Sequence, residues 1–283
     1  MRAELSIHQQ SVADYYNSNH SRFLRFGKRA QTGIMHRAVW APGVQNRIEA
    51  LQFVNHLIAR EISETFHSGL PDIHILDIGC GVGATCMYLA EELGICCTGV
   101  SISSIQIAEA NRRAIRANLD DHCRFSLHDF TSVEFSKQFH MAVAVESFVH
   151  FENPKRFFRK CAELLSDESL LVICDDFRCK DTESNRTSQI HLNRYKSGWR
   201  LGNILSVSEI KAIAENAGFS LERNRDLTSY LRIPQGVPEQ LEKLAYLMPL
   251  RTAFLDSRRG NVAVRKCLRN GWLEYRQLVF RKS

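Results

Sequence analysis

The chain has 283 residues, with 44% hydrophobic and 24% charged side chains and a formal net charge of +6. This is the composition of an ordinary globule of one or about two domains, long enough to bury a sizeable core. No run approaches the ~18 apolar residues of a membrane span, Met1 to His8 lack the apolar stretch of a secretory signal, and the charge is too small to argue for a nucleic-acid partner.

Nine cysteines, with no C-x-x-C pair, argue against a disulfide framework or a metal site. They favour a reducing, cytoplasmic setting. The sequence leaves the oligomeric state open, a homo-oligomer included.

In chain order, the first 70 residues read as helical. A segment around Val12 to Tyr16 leads into a basic and aromatic stretch from Arg22 to Arg29, and Pro42-Gly43 marks a turn. Ile48, Leu51, Val54, Leu57 and Ile58 then recur at helical spacing. From Ile73 the pattern becomes short apolar strands alternating with helices. Strands are expected at Ile73–Ile78, Ile95–Val100, Cys123–Leu127, Met141–Val145 and Leu170–Cys174. Helices are expected at Ala84–Leu93, Ser103–Asn118 and Pro154–Leu165. Such alternation predicts a doubly wound parallel sheet with right-handed crossovers.

After Phe177 a polar stretch to about Gly198 reads as a lid or a loop. A helix at Val207–Ala217 ends at Gly218, a sixth strand follows near Phe219–Glu222, and helices fill about Pro238–Asn270. A last strand is expected over Leu273–Phe280.

The strongest chemical signal is Ile75-Leu76-Asp77-Ile78-Gly79-Cys80-Gly81-Val82-Gly83. A buried strand delivers the chain into a turn of three alternating glycines. Glycine permits positive φ and close approach of a ligand to the backbone, and the next helix points its free N–H groups at that ligand. The spacing is G-x-G-x-G, with Asp77 two residues before the first glycine. A dinucleotide-binding oxidoreductase would instead carry G-x-G-x-x-G and an acid after the second strand. Here residue 84 is Ala and residue 101 is Ser.

This segment resembles motif I of class I S-adenosylmethionine-dependent methyltransferases. Three further segments fall in the order that family has: Gly99-Val100-Ser101-Ile102-Ser103-Ser104-Ile105-Gln106, then His128-Asp129-Phe130, then Val145-Glu146-Ser147-Phe148-Val149-His150-Phe151. They are similar to the branch containing the tocopherol, sarcosine and sugar methyltransferases and the cyclopropane-lipid synthases. Lys196 to Arg200 with Leu205 to Glu209, and the tail from Tyr275, agree with it.

The resemblance implies a seven-stranded Rossmann-like α/β sheet with a helical cap. Residues 1–70 would be the cap, 71–178 the cofactor-binding core, 179–206 a lid loop, and 207–283 the rest of the core with inserted helices. It implies S-adenosylmethionine as cofactor, held by Asp77, Gly79, Gly81, Gly83, Ser101, Ile102, Gln106 and Val145. Asp129 would accept from the adenine amino group, Phe130 would stack on the ring, and Tyr16 would lie near the cofactor. One departure matters: the synthases carry a glutamate before the histidine where this chain has Val149, which disfavours lipid cyclopropanation.

Methyl transfer needs alignment and exclusion of water, and a base only where the acceptor must lose a proton. His150 is the first candidate for that base, followed by Glu146 and Asp176. His150 also reads as a structural histidine at a helix start, and Asp175-Asp176 as a strand end in solvent. The acceptor is expected to be a small molecule. Phe23, Phe26, Trp40 and Trp199 would form its apolar walls, and Arg22, Arg25, Lys28, Arg37 and Arg200 would orient an acidic group. Methylation at O, N or C stays open. A prenyl diphosphate methylated at carbon is one alternative, and a non-catalytic cofactor-binding or partner-binding domain is another. No N/D-P-P-Y/F motif points to RNA.

Overall fold

The computed structural model describes residues 5–25, 32–66, 72–136, 138–179, 182, 185–234 and 253–283, the side chains of 20–25 and 253–255 excepted. Phe26, Lys28 and the side chains of Arg22, Phe23 and Arg25 therefore lie outside the described residues, as do 235–252 of the expected C-terminal helices.

One seven-stranded sheet organises the chain, in the order β3-β2-β1-β4-β5-β7-β6. The strands are β1 (His74–Ile78), β2 (Cys96–Ser101), β3 (Cys123–Leu127), β4 (Phe139–Val145), β5 (Leu165–Arg178), β6 (Phe219–Asp226) and β7 (Leu273–Lys282). The first five are mutually parallel, and β7 runs antiparallel between β5 and β6. Both faces of the inner strands are covered, so they read as nearly continuous apolar runs.

Alternation along the strands divides the core in two. Ile75, Cys97, Met141, Val143 and Val172 face helices α2 (Arg47–Thr65), α3 (Ala84–Leu93) and α4 (Ser104–Arg116). Leu76, Ile78, Ala142, Ala144 and Ile173 face α5 (Pro154–Leu164) and α7 (Val207–Glu215). The helix expected from Ile48 onward thus packs on the sheet as α2 and is part of the core, not of a separate cap. Asn46 caps it by accepting from Ile48 N–H and Glu49 N–H.

A smaller cluster forms the cap over the carboxyl edge of the sheet, from α6 (Arg186–Trp199), α8 (Ala253–Arg269) and the start of β7. Helix α1 (Ile7–Arg25) closes one side, with Ser103 Oγ–H donating to Asn17 Oδ1 at 2.7 Å.

Two expectations are corrected here. The polar stretch read as a loop is largely helix α6, capped by Asn185 and burying Ser188, His191, Leu192, Tyr195 and Gly198. Its inner face is helically spaced, but three of those five residues are polar or lack a side chain, so the sequence shows no apolar stripe. Strand β5 also does not stop at Cys174. Asp175 and Asp176 pair with Arg276 and Tyr275 of β7 and are each 1% exposed, so they do not end a strand in solvent. Among the described residues no helix is long and apolar enough to cross a membrane.

Candidate active site

The carboxyl ends of β1 to β5 converge on a cavity of about 990 Å³, bounded on its far side by α1, the 33–40 segment, α6 and α8. In an open α/β sheet this is the edge where ligands bind.

At the end of β1 the chain turns with φ of +80° at Gly79, +54° at Gly81 and +79° at Gly83. Gly79 N–H and Cys80 N–H both donate to Val100 O, fixing the turn against β2. A Cβ at Gly79 would fall 2.5 Å from Ser147 Cβ. Gly83 begins α3 with no side-chain cap, and Ala84 and Thr85 line the cavity. The first N–H groups of α3 are thus left for a ligand. Asp77 is 3% exposed and accepts from Cys86 Sγ–H at 3.5 Å; burial raises its pKa to about 7.

Beyond β2, Ser101 Oγ–H donates to Gln106 Oε1 at 3.1 Å, and both residues line the cavity with Ile102. Beyond β3, the Asp129 carboxylate accepts from Thr131 N–H, Thr131 Oγ–H and Ser132 Oγ–H. Phe130 borders the cavity but is only 3% exposed, its ring set against Phe151 and Phe157 at 5.9 and 5.4 Å. Asp129 is therefore already engaged by its own turn, and Phe130 belongs to an aromatic cluster of the core.

The segment after β4 carries the densest chemistry. Val145 lines the cavity, and Glu146 follows with φ +48°, a strained conformation for a residue with a side chain. Glu146 Oε1 accepts from Arg37 N–H at 2.7 Å, and its second carboxylate oxygen has no hydrogen bond among the described residues. His150 lies on a 3₁₀ turn, Phe148–His150. Its Nδ1 is 3.1 Å from Arg200 O, which accepts, so Nδ1 carries the proton. The Nε2 atom then accepts from the Tyr16 hydroxyl at 2.9 Å. Burial lowers the His150 pKa to about 4, so the ring is neutral at pH 7.

Asp176 does not join the group facing the cavity. Its buried carboxylate accepts from Arg37 Nη2–H at 2.7 Å and from Tyr195 O–H at 2.5 Å. The geometry makes it a positioning residue for Arg37. Arg37 and Arg200, expected to orient an acceptor's acid, are both spoken for: Arg200 pairs with Asp256 at 3.0 Å. Trp40 and Trp199 line the cavity. The sequence reading overlooked Tyr195 and Gly202. A Cβ at Gly202 would press on the backbone of 150–152, so this glycine lets the chain pass directly against His150. Neither residue carries a local signal, since both act across the fold.

The site suits a sulfonium nucleoside better than a dinucleotide. The glycine turn leaves room for close approach, and Asp77, Asp129, Glu146 and Asp175 line the cavity. When ionised, the acids at these strand ends favour a cationic group beside the glycine turn.

Comparison with known proteins agrees. A family model described as a methyltransferase domain matches residues 50–224, well over half of the chain. The O-methyltransferase resE of Aspergillus sclerotiorum is 25% identical over 206 residues, covering 71% of this chain and 74% of that protein. Norajmaline N-methyltransferase of Rauvolfia serpentina is 27% identical over 178 residues, 58% of each chain, so this chain spans little more than half of that relative. Among solved structures, geranyl diphosphate C-methyltransferase from Streptomyces coelicolor A3(2), in complex with Mg2+, geranyl-S-thiolodiphosphate and S-adenosyl-L-homocysteine, superposes with a TM-score of 0.75. It shares 18% identity, with 99% of this chain and 100% of that one covered, which speaks to fold alone. The chain belongs to the methyltransferase domain family and is a class I S-adenosylmethionine-dependent methyltransferase.

Proposed function

We propose that the protein methylates a small, largely apolar acceptor whose attacking atom carries a proton, and that Glu146 receives that proton. One observation carries this reading. The glycine turn and the Glu146, Tyr16 and His150 cluster open into one cavity, whose ~990 Å³ is at the upper end for a single ligand and roomy enough for cofactor and acceptor together.

The cofactor supplies an already activated methyl group on a sulfonium centre. Gly79, Gly81 and Gly83 would admit it, with Asp77, Ser101, Ile102 and Gln106 around the nucleoside and Asp129, Phe130 and Val145 at its border. Trp40 and Trp199 contribute to the apolar wall for the acceptor, where exclusion of water favours transfer.

His150 is poorly suited as the base. Its Nε2 lone pair is occupied by the Tyr16 hydroxyl, and its pKa near 4 makes it a weak proton acceptor at neutral pH. Glu146 has an uncommitted oxygen, and Arg37 N–H on its other oxygen fixes its direction. Tyr16, held by His150, is placed to orient the acceptor. Asp176 and Tyr195 act at one remove, by holding Arg37.

The test is transfer of labelled methyl from S-adenosylmethionine to a panel of phenolic, hydroxylated and amine acceptors, with Glu146→Gln beside the native protein. Glutamine keeps the shape and still accepts from Arg37 N–H. Turnover is expected to fall about 10²- to 10³-fold with cofactor affinity retained. Turnover of Glu146→Gln near the native rate would overturn the assignment of the base. Cofactor binding with no transfer to any acceptor would favour a binding domain.

A further inference from the structure

Five arginines line the cavity: Arg37, Arg47, Arg156, Arg232 and Arg265. Arg37 is paired with Asp176, and Arg156 donates to Thr131 O. Arg47, Arg232 and Arg265 differ. Each is exposed, and none forms an ion pair with an acidic side chain among the described residues. They come from three separate parts of the chain: the start of α2, the segment after β6, and α8. The acids that line the cavity come mainly from the carboxyl ends of β1, β3, β4 and β5.

The strand ends are acidic and suit a cationic cofactor, while three exposed arginines line the same cavity with no acidic partner among the described residues. Two details say that these cations are held for something. The Arg232 guanidinium sits over Trp40, its Cζ 3.5 Å from the ring centre, a contact that favours one placement of the side chain. Arg47 occupies the first turn of α2, where the helix dipole disfavours a positive side chain. The same cavity has an apolar lining from Val149, Leu231, Ile233, Val264 and Leu268.

Resting on the methyltransferase reading above, we infer that the acceptor is an amphipathic anion. Its apolar body lies along the cap wall, and its carboxylate or phosphate end is bound by Arg232 and Arg265, with Arg47 adding to the field. The reacting atom then lies at the opposite end of the molecule, beside Glu146.

The experiment titrates the full chain, saturated with S-adenosylhomocysteine, with decyl phosphate, decanoate and decanol, followed by calorimetry. Both anions are expected to bind about tenfold or more tightly than decanol, and their advantage should shrink as salt rises. Arg232→Gln and Arg265→Gln should each remove most of that advantage while leaving decanol and S-adenosylhomocysteine affinities unchanged. A preference between the two anions would assign the end group. Equal binding of all three probes, binding of none, or equal losses for decanol and the anions in the variants would overturn the anionic class. Failure of S-adenosylhomocysteine itself to bind would overturn the methyltransferase site, a separate result read in the loading step.

Discussion

The Tyr16 hydroxyl donates to His150 Nε2 at 2.9 Å across 134 residues of sequence, while Arg200 O holds the proton on Nδ1. The tautomer of His150 is thus set from both sides. Tyr16→Phe removes the donor and leaves Nε2 buried without it, a cost of about 1–3 kcal/mol. Expected outcomes are a loss of stability in urea titration and a fall in turnover of about tenfold or more, with S-adenosylhomocysteine affinity little changed.

His150 and Asp77 drive stability in opposite directions with pH. The His150 pKa drops from 6.5 to about 4 through burial, so its contribution is full above about 6.5 and is lost as pH falls toward 4. For Asp77 the folded value rises from 3.8 to about 7, so its contribution is full below about 4 and is lost as pH rises through 7. A cationic ligand group favours the ionised Asp77. Calorimetric affinity for S-adenosylmethionine should therefore increase from pH 6 to pH 8 in the native protein and stay flat in Asp77→Asn. A pH-independent native affinity would remove Asp77 from contact with the ligand's charge.

Arg37 links two acids that the chain brings from far apart, with its backbone N–H on Glu146 and its guanidinium on Asp176. Burial raises the Asp176 pKa and Arg37 counters it. Arg37→Met strands a fully buried carboxylate, and a loss of about 3–5 kcal/mol is expected in chemical unfolding. The double variant Arg37→Met with Asp176→Asn should recover part of it, because the uncompensated charge is gone. Equal loss in single and double variants would mean that packing, not charge, sets the effect.

The glycine turn is tested most sharply at Gly79. Alanine there meets Ser147 Cβ, and the +80° φ is strained for any side chain. Ser147 also donates to Ile78 O at 2.5 Å, so it has little freedom to retreat. Gly79→Ala should lower affinity for S-adenosylhomocysteine by an order of magnitude or more. Gly218→Ala is the control, with a similar φ of +82° and open space around the Cβ; it should leave binding intact.

The sheet was readable in the residues because its signals are local. Short continuous apolar runs, strand length and intervening helices at Ala84–Leu93 and Ser104–Arg116 all lie within short windows. The same holds for the glycine turn, whose chemistry is carried by nine consecutive residues. Helix α6 was hidden because its buried face includes Ser188, His191 and Gly198, which bury without looking apolar. The true end of β5 was hidden because Asp175 and Asp176 are held in place by β7, about 100 residues later.

By itself, then, the sequence determined an α/β sheet with a cofactor turn at the end of its first strand, since backbone geometry and hydrophobic period act between near neighbours. Only the tertiary structure decided which polar groups meet above that turn. It gave Arg37 to Asp176 and Glu146, placed Tyr16 on His150, and left Arg47, Arg232 and Arg265 lining the cavity without acidic partners among the described residues. Pairing of charges depends on distance in space and on burial, and neither is written in the spacing of residues along the chain.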